Sequence, residues 1–339
     1  MPPMIFWVRF FQDSVWESKE GTAMNDGLRL LAKILRRYGY DIKKYYQYNL
    51  LPIANQADFN NASILHDASS ACTVPDHEEF KNLYICLRTC LRSDNWKKTH
   101  APDFASVDRN ELVLRCVSSL IDSINHALTN HIEATIELHV LDDRSDREHL
   151  TSLEKICRRS ACKWEIKTTR ETGQGGSLLE QFEYAREKDA LVYFCEDDYL
   201  HEQSAILEMY HFYRQIHDIC GTHLVIHPQE HEFLYSRYIY PSYLLLGERR
   251  HWRTISHATH TLFMHSSTVR KYWEYFENTR YVGNKKKRRQ GVESRTTNNL
   301  FDHLPGFAPI PALAAHMQTK KGLPPFFNWR VIWDQSRPD

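Results

Sequence analysis

The chain has 339 residues, enough for one large domain or two with an ample core. Its 43 basic residues balance its 43 acidic ones, so bulk electrostatics argues for neither nucleic acid nor an anionic membrane as a partner. Eight cysteines are scattered, several inside apolar runs and none in a Cys-x-x-Cys pair, which predicts free buried thiols in a reducing compartment rather than structural zinc.

Residues 1–80 read as an N-terminal extension. Ile5–Phe11 has strand character, but the run is short and broken by Arg9, which makes a poor signal peptide. Asp26–Tyr38 places Leu28, Leu31, Ile34 and Leu35 at amphipathic helix spacing, with Arg36 and Arg37 near its end. Residues 52–79 are polar and turn-rich. No apolar run of the sequence approaches the ~18 residues of a membrane span, so a cytoplasmic location is predicted.

A regular rhythm begins near residue 81. Strands are predicted at Asn82–Leu87, Ala134–Leu141, Cys162–Thr168 and Leu191–Cys195. Helices are predicted at Arg109–Ala127, His149–Cys157 and Ser177–Arg186, the last preceded by a Gly173-Gln174-Gly175-Gly176 loop. Alternation of strand and helix is the pattern of a doubly wound, mostly parallel sheet. A helix near 201–217, a strand at His223–His227, strand-like pieces at Tyr243–Leu246 and Thr261–Met264, and helices at Thr268–Phe276 and Glu293–Leu300 follow. Between Gly283 and Gly291, Lys285–Arg289 reads as a basic loop, and the tail from 304 is Pro-rich. Residues 81–200 are thus expected to form one half of the main domain and 201–339 the other with its tail.

The acidic clusters fall at strand ends. The apolar run from Leu191 stops at Glu196, Asp197 and Asp198, and the earlier strand stops at Asp142-Asp143-Arg144-Ser145-Asp146. In open α/β sheets ligands bind beyond the carboxyl ends of the strands, so both clusters and Arg88-Thr89 are expected along one edge. Strand alternation sends Glu196 and Asp198 one way and Asp197 the other. Two same-side carboxylates suit a hard divalent cation; the plainer reading is an acidic turn in which Asp197 or Asp198 caps the next helix.

These pieces, in this order, resemble the GT-A-fold glycosyltransferases, closest to family-2-like members, over roughly 81–320. The carriers are the first strand running into Arg88-Thr89, Val140–Asp146, Gly175-Gly176-Ser177 opening a helix, and Val192–Tyr199. The resemblance implies a Rossmann-like α/β sheet and a metal-dependent transfer from a nucleotide sugar, a UDP-linked one, to a glycan or glycoconjugate in surface polysaccharide synthesis. It implies that Asp143 reads the base beside Arg88 and Thr89, and that Gly175, Gly176 and Ser177 lie close to the donor. Glu196-x-Asp198 matches the DxD motif, with Glu in the first slot, so Asp198 is expected on the metal and Glu196 at the donor ribose or sugar, with Asp197 between them also counted with the donor. His316 matches a third metal-ligand position; imidazole favours Mn²⁺ over Mg²⁺. Lys287 and Arg288 of the basic run fit a lid over the diphosphate, against a plain solvated loop or an anionic-membrane contact. Glu293 matches the position of the general base of an inverting transfer, and a retaining enzyme would need none. Three rivals have sequence support. His227-Pro228-Gln229-Glu230-His231 fits an H-x-x-E-H metalloprotease pattern. Asp142, Asp143, Asp197 and Asp198 could hold the two ions of a phosphohydrolase. A catalytically inactive binding module is the third. The oligomeric state is not readable.

Overall fold

The computed structural model describes residues 78–92, 107–230, 244–245, 250–280, 291–318 and 322–338, together with position 34. The chain divides into two compact units, Met1–Gln47 and Tyr48–Asp339; apart from position 34, everything described below belongs to the second. The expected strand at Ile5–Phe11, the Asp26–Tyr38 helix apart from that one position, and the basic run with Lys287 and Arg288 lie outside the described residues.

The second unit is built on a nine-stranded mixed sheet. In chain order its strands are β1 (Asn82–Thr89), β2 (Thr135–Asp142), β3 (Lys163–Thr168), β4 (Leu191–Glu196), β6 (Val225–Ile226), β7 (Leu244–Leu245), β8 (His251–Ile255), β9 (Leu262–His265) and β10 (Gly306–Ile310); β5 (Tyr199–His201) and β11 (Ala314–His316) form a separate antiparallel ribbon. The order across the large sheet is β3-β2-β1-β4-β9-β6-β10-β8-β7. The first four strands are parallel, β9 runs against both β4 and β6, β10 lies parallel to β6, and β8 is antiparallel to β10 and β7. The helices are α1 (Arg109–Thr129), α2 (Arg147–Cys157), α3 (Gln174–Arg186), α4 (Ala205–Cys220), α5 (Ser266–Lys271), α6 (Trp273–Glu277) and α7 (Trp329–Gln335).

Continuous apolar strands need cover on both faces, and the two faces are packed differently. Leu83, Ile85 and Leu87 of β1, with Leu191, Tyr193 and Cys195 of β4, pack into one core with α1, α2 and α4. Cys86, Val192 and Phe194 point the other way, into a second core with Leu178 and Phe182 of α3, Val269 of α5 and Phe276 of α6. Each large side chain fully buried this way contributes about 1.5–3 kcal/mol. The same alternation carries past the apolar run: Arg88 and Glu196 fall on the α3 side of the sheet, level with each other across the β1–β4 pairing. Cys86, Cys116, Cys157 and Cys195 are buried free thiols, as expected, while Cys90 and Cys162 are free and half-buried.

Several elements differ from expectation. α3 starts at Gln174, so Gly175 and Gly176 lie in its first turn rather than in a loop. Gly173 makes the entry possible, because its φ of 89° is open to glycine and strained for other residues. Asp197 and Asp198 cap no helix: β5 follows them directly and α4 begins after Ser204. Glu293–Leu300 is two short 3₁₀ segments, Glu293–Arg295 and Thr297–Asp302.

Candidate active site

The carboxyl ends of β1, β2 and β4 bring the expected groups onto one edge. Arg88 leaves β1 half-buried, its Nη2 donating to Glu196 Oε1 at 2.7 Å and its Nη1 to Ser177 Oγ at 3.0 Å. Its Nε–H is buried and has no hydrogen-bond partner. One guanidinium thus links the first turn of α3 to the end of β4. Burial pushes the Glu196 carboxyl above its ordinary range, Arg88 opposes this, and Asp198 adds to it.

Asp142 and Asp143 divide the work at the end of β2. Asp142 is turned inward, where it accepts from Thr89 Oγ1 at 2.9 Å and from the Ser145 N–H at 2.8 Å, and also bonds the Ser145 hydroxyl. Asp143 reaches outward. Its Oδ2 accepts from the Gly173 N–H at 2.7 Å, fixing the entry to α3, while Arg92 and Arg144 approach its Oδ1 at 3.4 and 3.3 Å. Gly175, Gly176 and Ser177 are buried directly behind that entry.

The acidic turn after β4 shows the same division. Asp197 Oδ2 accepts from the Cys90 N–H at 3.0 Å and its Oδ1 from Arg109 Nη2 at 2.7 Å, so it ties β1 and α1 to the turn. Asp198 faces the other way. Its Oδ1 stands 3.2 Å from His316 Nε2, and Arg109 Nη1 lies 3.5 Å from its Oδ2. Burial acts to raise the Asp198 carboxyl, but His316, by charge and hydrogen bond, then Arg109 and Arg88, outweigh it and hold it well below the usual carboxylate range. His316 is moved upward in return: burial disfavours its charge, and Asp198 more than restores it. The β5–β11 ribbon makes this meeting possible, pairing His316 with Tyr199 and stacking their rings at 4.7 Å and 8°.

Asp198 and His316 fit a divalent cation. Two ligands about 2.1 Å from one ion and at right angles stand roughly 3.0 Å apart, close to what this pair shows. Their chemistry, one carboxylate and one imidazole, leaves the remaining positions to phosphate oxygens and water. The four aspartates of the phosphohydrolase reading do not converge, since Asp142 and Asp197 are consumed by hydrogen bonds inside the scaffold. The protease pattern fails on geometry: residues 227–230 are not helical, and the His227 ring is buried and bonded through Nδ1 to the Thr261 carbonyl at 2.8 Å. His231 lies outside the described residues. Glu79, His223 and His265 also stand within metal-ligating reach of one another, at the opposite end of β9. There the His223 and His265 rings are stacked at 4.6 Å and 8°, so their lone pairs run side by side instead of meeting.

Glu293 is half-buried at the start of its 3₁₀ turn, and His260 Nδ1 lies 3.4 Å from its Oε1. Two residues of this site escape a reading of the sequence, Arg109 and His260. Arg109 left one signal: a cation in the first turn of a helix runs against the helix dipole and needs a reason to be there. Its reason is the Asp197–Asp198 pair.

An α/β sheet of this order, with an arginine-bridged first turn of α3 and a carboxylate–imidazole pair at the strand ends, has the GT-A-like architecture of glycosyltransferases. The chain belongs to glycosyl transferase family 2, whose model matches residues 106–276. No curated protein matches the sequence significantly. Among solved structures, TarS of S. aureus is 13% identical with a TM-score of 0.39, over 67% of this chain and 35% of that one, so the chain spans about a third of TarS. UDP-glucose pyrophosphorylase complexed with UDP-glucose is 10% identical with a TM-score of 0.41, over 75% of this chain and 98% of that one. The bifunctional glycosyltransferase WbbM is 11% identical with a TM-score of 0.32, over 60% of this chain and 34% of that one. These are distant likenesses of shape, and the family assignment rests on the sequence match. Among the described residues, no helix is long and apolar enough to cross a membrane.

Proposed function

We propose that the chain transfers a sugar from a nucleoside-diphosphate donor, UDP-linked, to a hydroxyl of a glycan or glycoconjugate, with Mn²⁺ or Mg²⁺ as cofactor. The observation that carries this reading is the Asp198–His316 pair standing beside the Arg88–Glu196–Ser177 bridge. Asp198 and His316 would hold the cation, which supplies Lewis-acid stabilisation of the departing diphosphate. Arg88 brings a half-buried cation, its Nε–H without a partner, to the same edge, as a leaving anion requires. The first turn of α3 adds backbone N–H groups suited to phosphate. Asp143, joined to the Gly173 N–H, would shape the base pocket at the far side of that turn. The uridine and the polysaccharide acceptor class rest on the family likeness alone.

In an inverting transfer the acceptor oxygen attacks the anomeric carbon and the carbon–oxygen bond to the diphosphate breaks. The nucleoside diphosphate leaves with the bonding pair, and the acceptor proton passes to Glu293. Calorimetry with UDP tests the reading directly. UDP is expected to bind with Mn²⁺ or Mg²⁺ present and at least tenfold more weakly with EDTA, and a panel of nucleotide sugars should show metal-dependent donor hydrolysis. Binding of UDP that ignores metal would remove the cation from the proposal; no binding in either condition would remove the donor.

A further inference from the structure

We infer that His260 is the positioning residue for Glu293, donating its Nδ1–H to the Glu293 carboxylate and holding it aimed at the acceptor. This rests on the reading of Glu293 as the base. His260 is 2% exposed, and neither of its ring nitrogens has a hydrogen-bond partner. A buried imidazole left that way carries an uncompensated desolvation penalty, which a merely space-filling residue would not need to bear. Glu293 Oε1 stands 3.4 Å from its Nδ1. That is long for a hydrogen bond, and catalytic hydrogen bonds often are before substrate tightens them.

The surroundings hold the two residues in register. Asn298, just beyond Glu293, accepts from the Ala258 N–H at 3.0 Å and bonds the His257 ring at 2.8 Å, clamping the 3₁₀ segments to the loop that carries His260. The next residue, Thr261, is fixed twice. Its hydroxyl receives the Glu196 N–H at 3.3 Å and its carbonyl is bonded by His227. The loop between β8 and β9 therefore ties the acidic turn to Glu293, with His260 at the junction. Burial takes the His260 imidazole down to about 4, with Glu293 pulling upward and Arg88 downward. Near neutral pH the ring is thus uncharged with a single N–H. It can orient a carboxylate without supplying a competing proton.

Two measurements test this. Long-range ¹H–¹⁵N spectra of histidine-labelled protein, with the His260 signals assigned by their loss in His260→Asn, should show the Nδ1–H tautomer at pH 7. The tautomer should shift in Glu293→Ala. An Nε2–H ring in the wild type, or a ring indifferent to Glu293→Ala, overturns the inference. Hydrolysis of UDP-glucose and UDP-GlcNAc supplies the second arm. His260→Phe should lower kcat on the order of 10–10²-fold with UDP affinity unchanged, the size of effect a misplaced catalytic group produces. His260→Asn, which keeps an N–H near the Nδ1 position, should recover most of the loss. In a Glu293→Gln background His260→Phe should cost nothing further. Additive losses would mean that His260 acts on packing and would sink the inference while Glu293 stands. Normal turnover by Glu293→Gln alone instead removes the base reading, and the tautomer result then reports on the pair by itself.

Discussion

Neighbouring carboxylates in this chain have opposite assignments, and the difference is decided by what each one touches. Asp197 is spent on the scaffold, whereas Asp198 pairs with His316 and is the proposed cation ligand. Asp197→Ala removes the acceptor for the part-buried Cys90 N–H and one partner of the half-buried Arg109. We expect a loss of about 1–3 kcal/mol in urea unfolding, because both donors lose their acceptor where water only partly replaces it. Asp198→Asn keeps the shape but removes the charge that His316 and Arg109 face, so some stability should be lost while the fold persists, and metal-dependent UDP binding should disappear. If calorimetry shows the same metal-linked UDP affinity in Asp198→Asn, the Asp198–His316 pair is not the cation site. The sequence shows that three acids end a strand, and strand alternation separates Asp197 from its neighbours. It does not show Arg109, which reaches both aspartates only because α1 starts beside β1. His260 left no pattern at all: it is one of 19 histidines, in a polar stretch, and gains meaning only when the chain returns to set Glu293 against it.

At the scale of elements, α3 is the piece whose entry must be built most closely. A Cβ on Gly176 would stand 2.6 Å from the Glu171 Cβ, an atom close to the backbone that cannot swing aside. Gly176→Ala is therefore expected to destabilise by about 1–3 kcal/mol through overpacking, despite alanine's better helix propensity. Since the displaced turn carries Ser177 and its bond to Arg88, UDP affinity should fall as well. A stabilised variant with unchanged UDP binding would show that the turn has room the geometry denies it. The first four strands and α1–α3 are readable in the sequence because each is a long apolar run or a clear 3.6-residue period. β8, β10 and β11 are not. β10 contains Pro309, a sign of an edge, and there the strand is paired on one side only: β8 faces Pro309, while β6 reaches no further than Phe307. β11 is three residues held extended by β5 across from it and by Pro228 and Gln229, so family likeness could point to His316 where hydrophobic pattern could not.

Among the described residues, stability between pH 6.5 and about 5 is set by histidines folded away uncharged. Burial lowers His201 to about 3; burial and the neighbouring His265 and His217 lower His223 to about 3; and burial lowers His227 and His265 to about 4. Their ordinary value is 6.5, so between that pH and about 4 the unfolded chain binds protons that the folded chain refuses. Stability must then fall as pH falls through this window, and above it these groups contribute no slope. His316 works in the opposite sense: its value is raised, so its contribution is complete below the ordinary value and is lost only as pH rises above it. The carboxyls of Glu196 and Asp197 are also raised, so the folded chain takes up their protons before the unfolded chain does. They add stability as pH falls and can only make the acid limb shallower. A downward slope from pH 6.5 to about 5 therefore belongs to the buried imidazoles. We expect the thermal midpoint to decline slightly as pH rises above 6.5, where His316 loses its charge, and to drop progressively below about 6.5. His223 is the informative position, because its lowered value comes from the stacked His265 as well as from burial. His223→Gln retains a polar group near Tyr213 and cannot titrate, so it should flatten the acid limb even if it lowers the midpoint at pH 8. A wild-type midpoint that stays level down to pH 5, or an acid limb equally steep in His223→Gln, would move the origin of acid sensitivity away from this cluster.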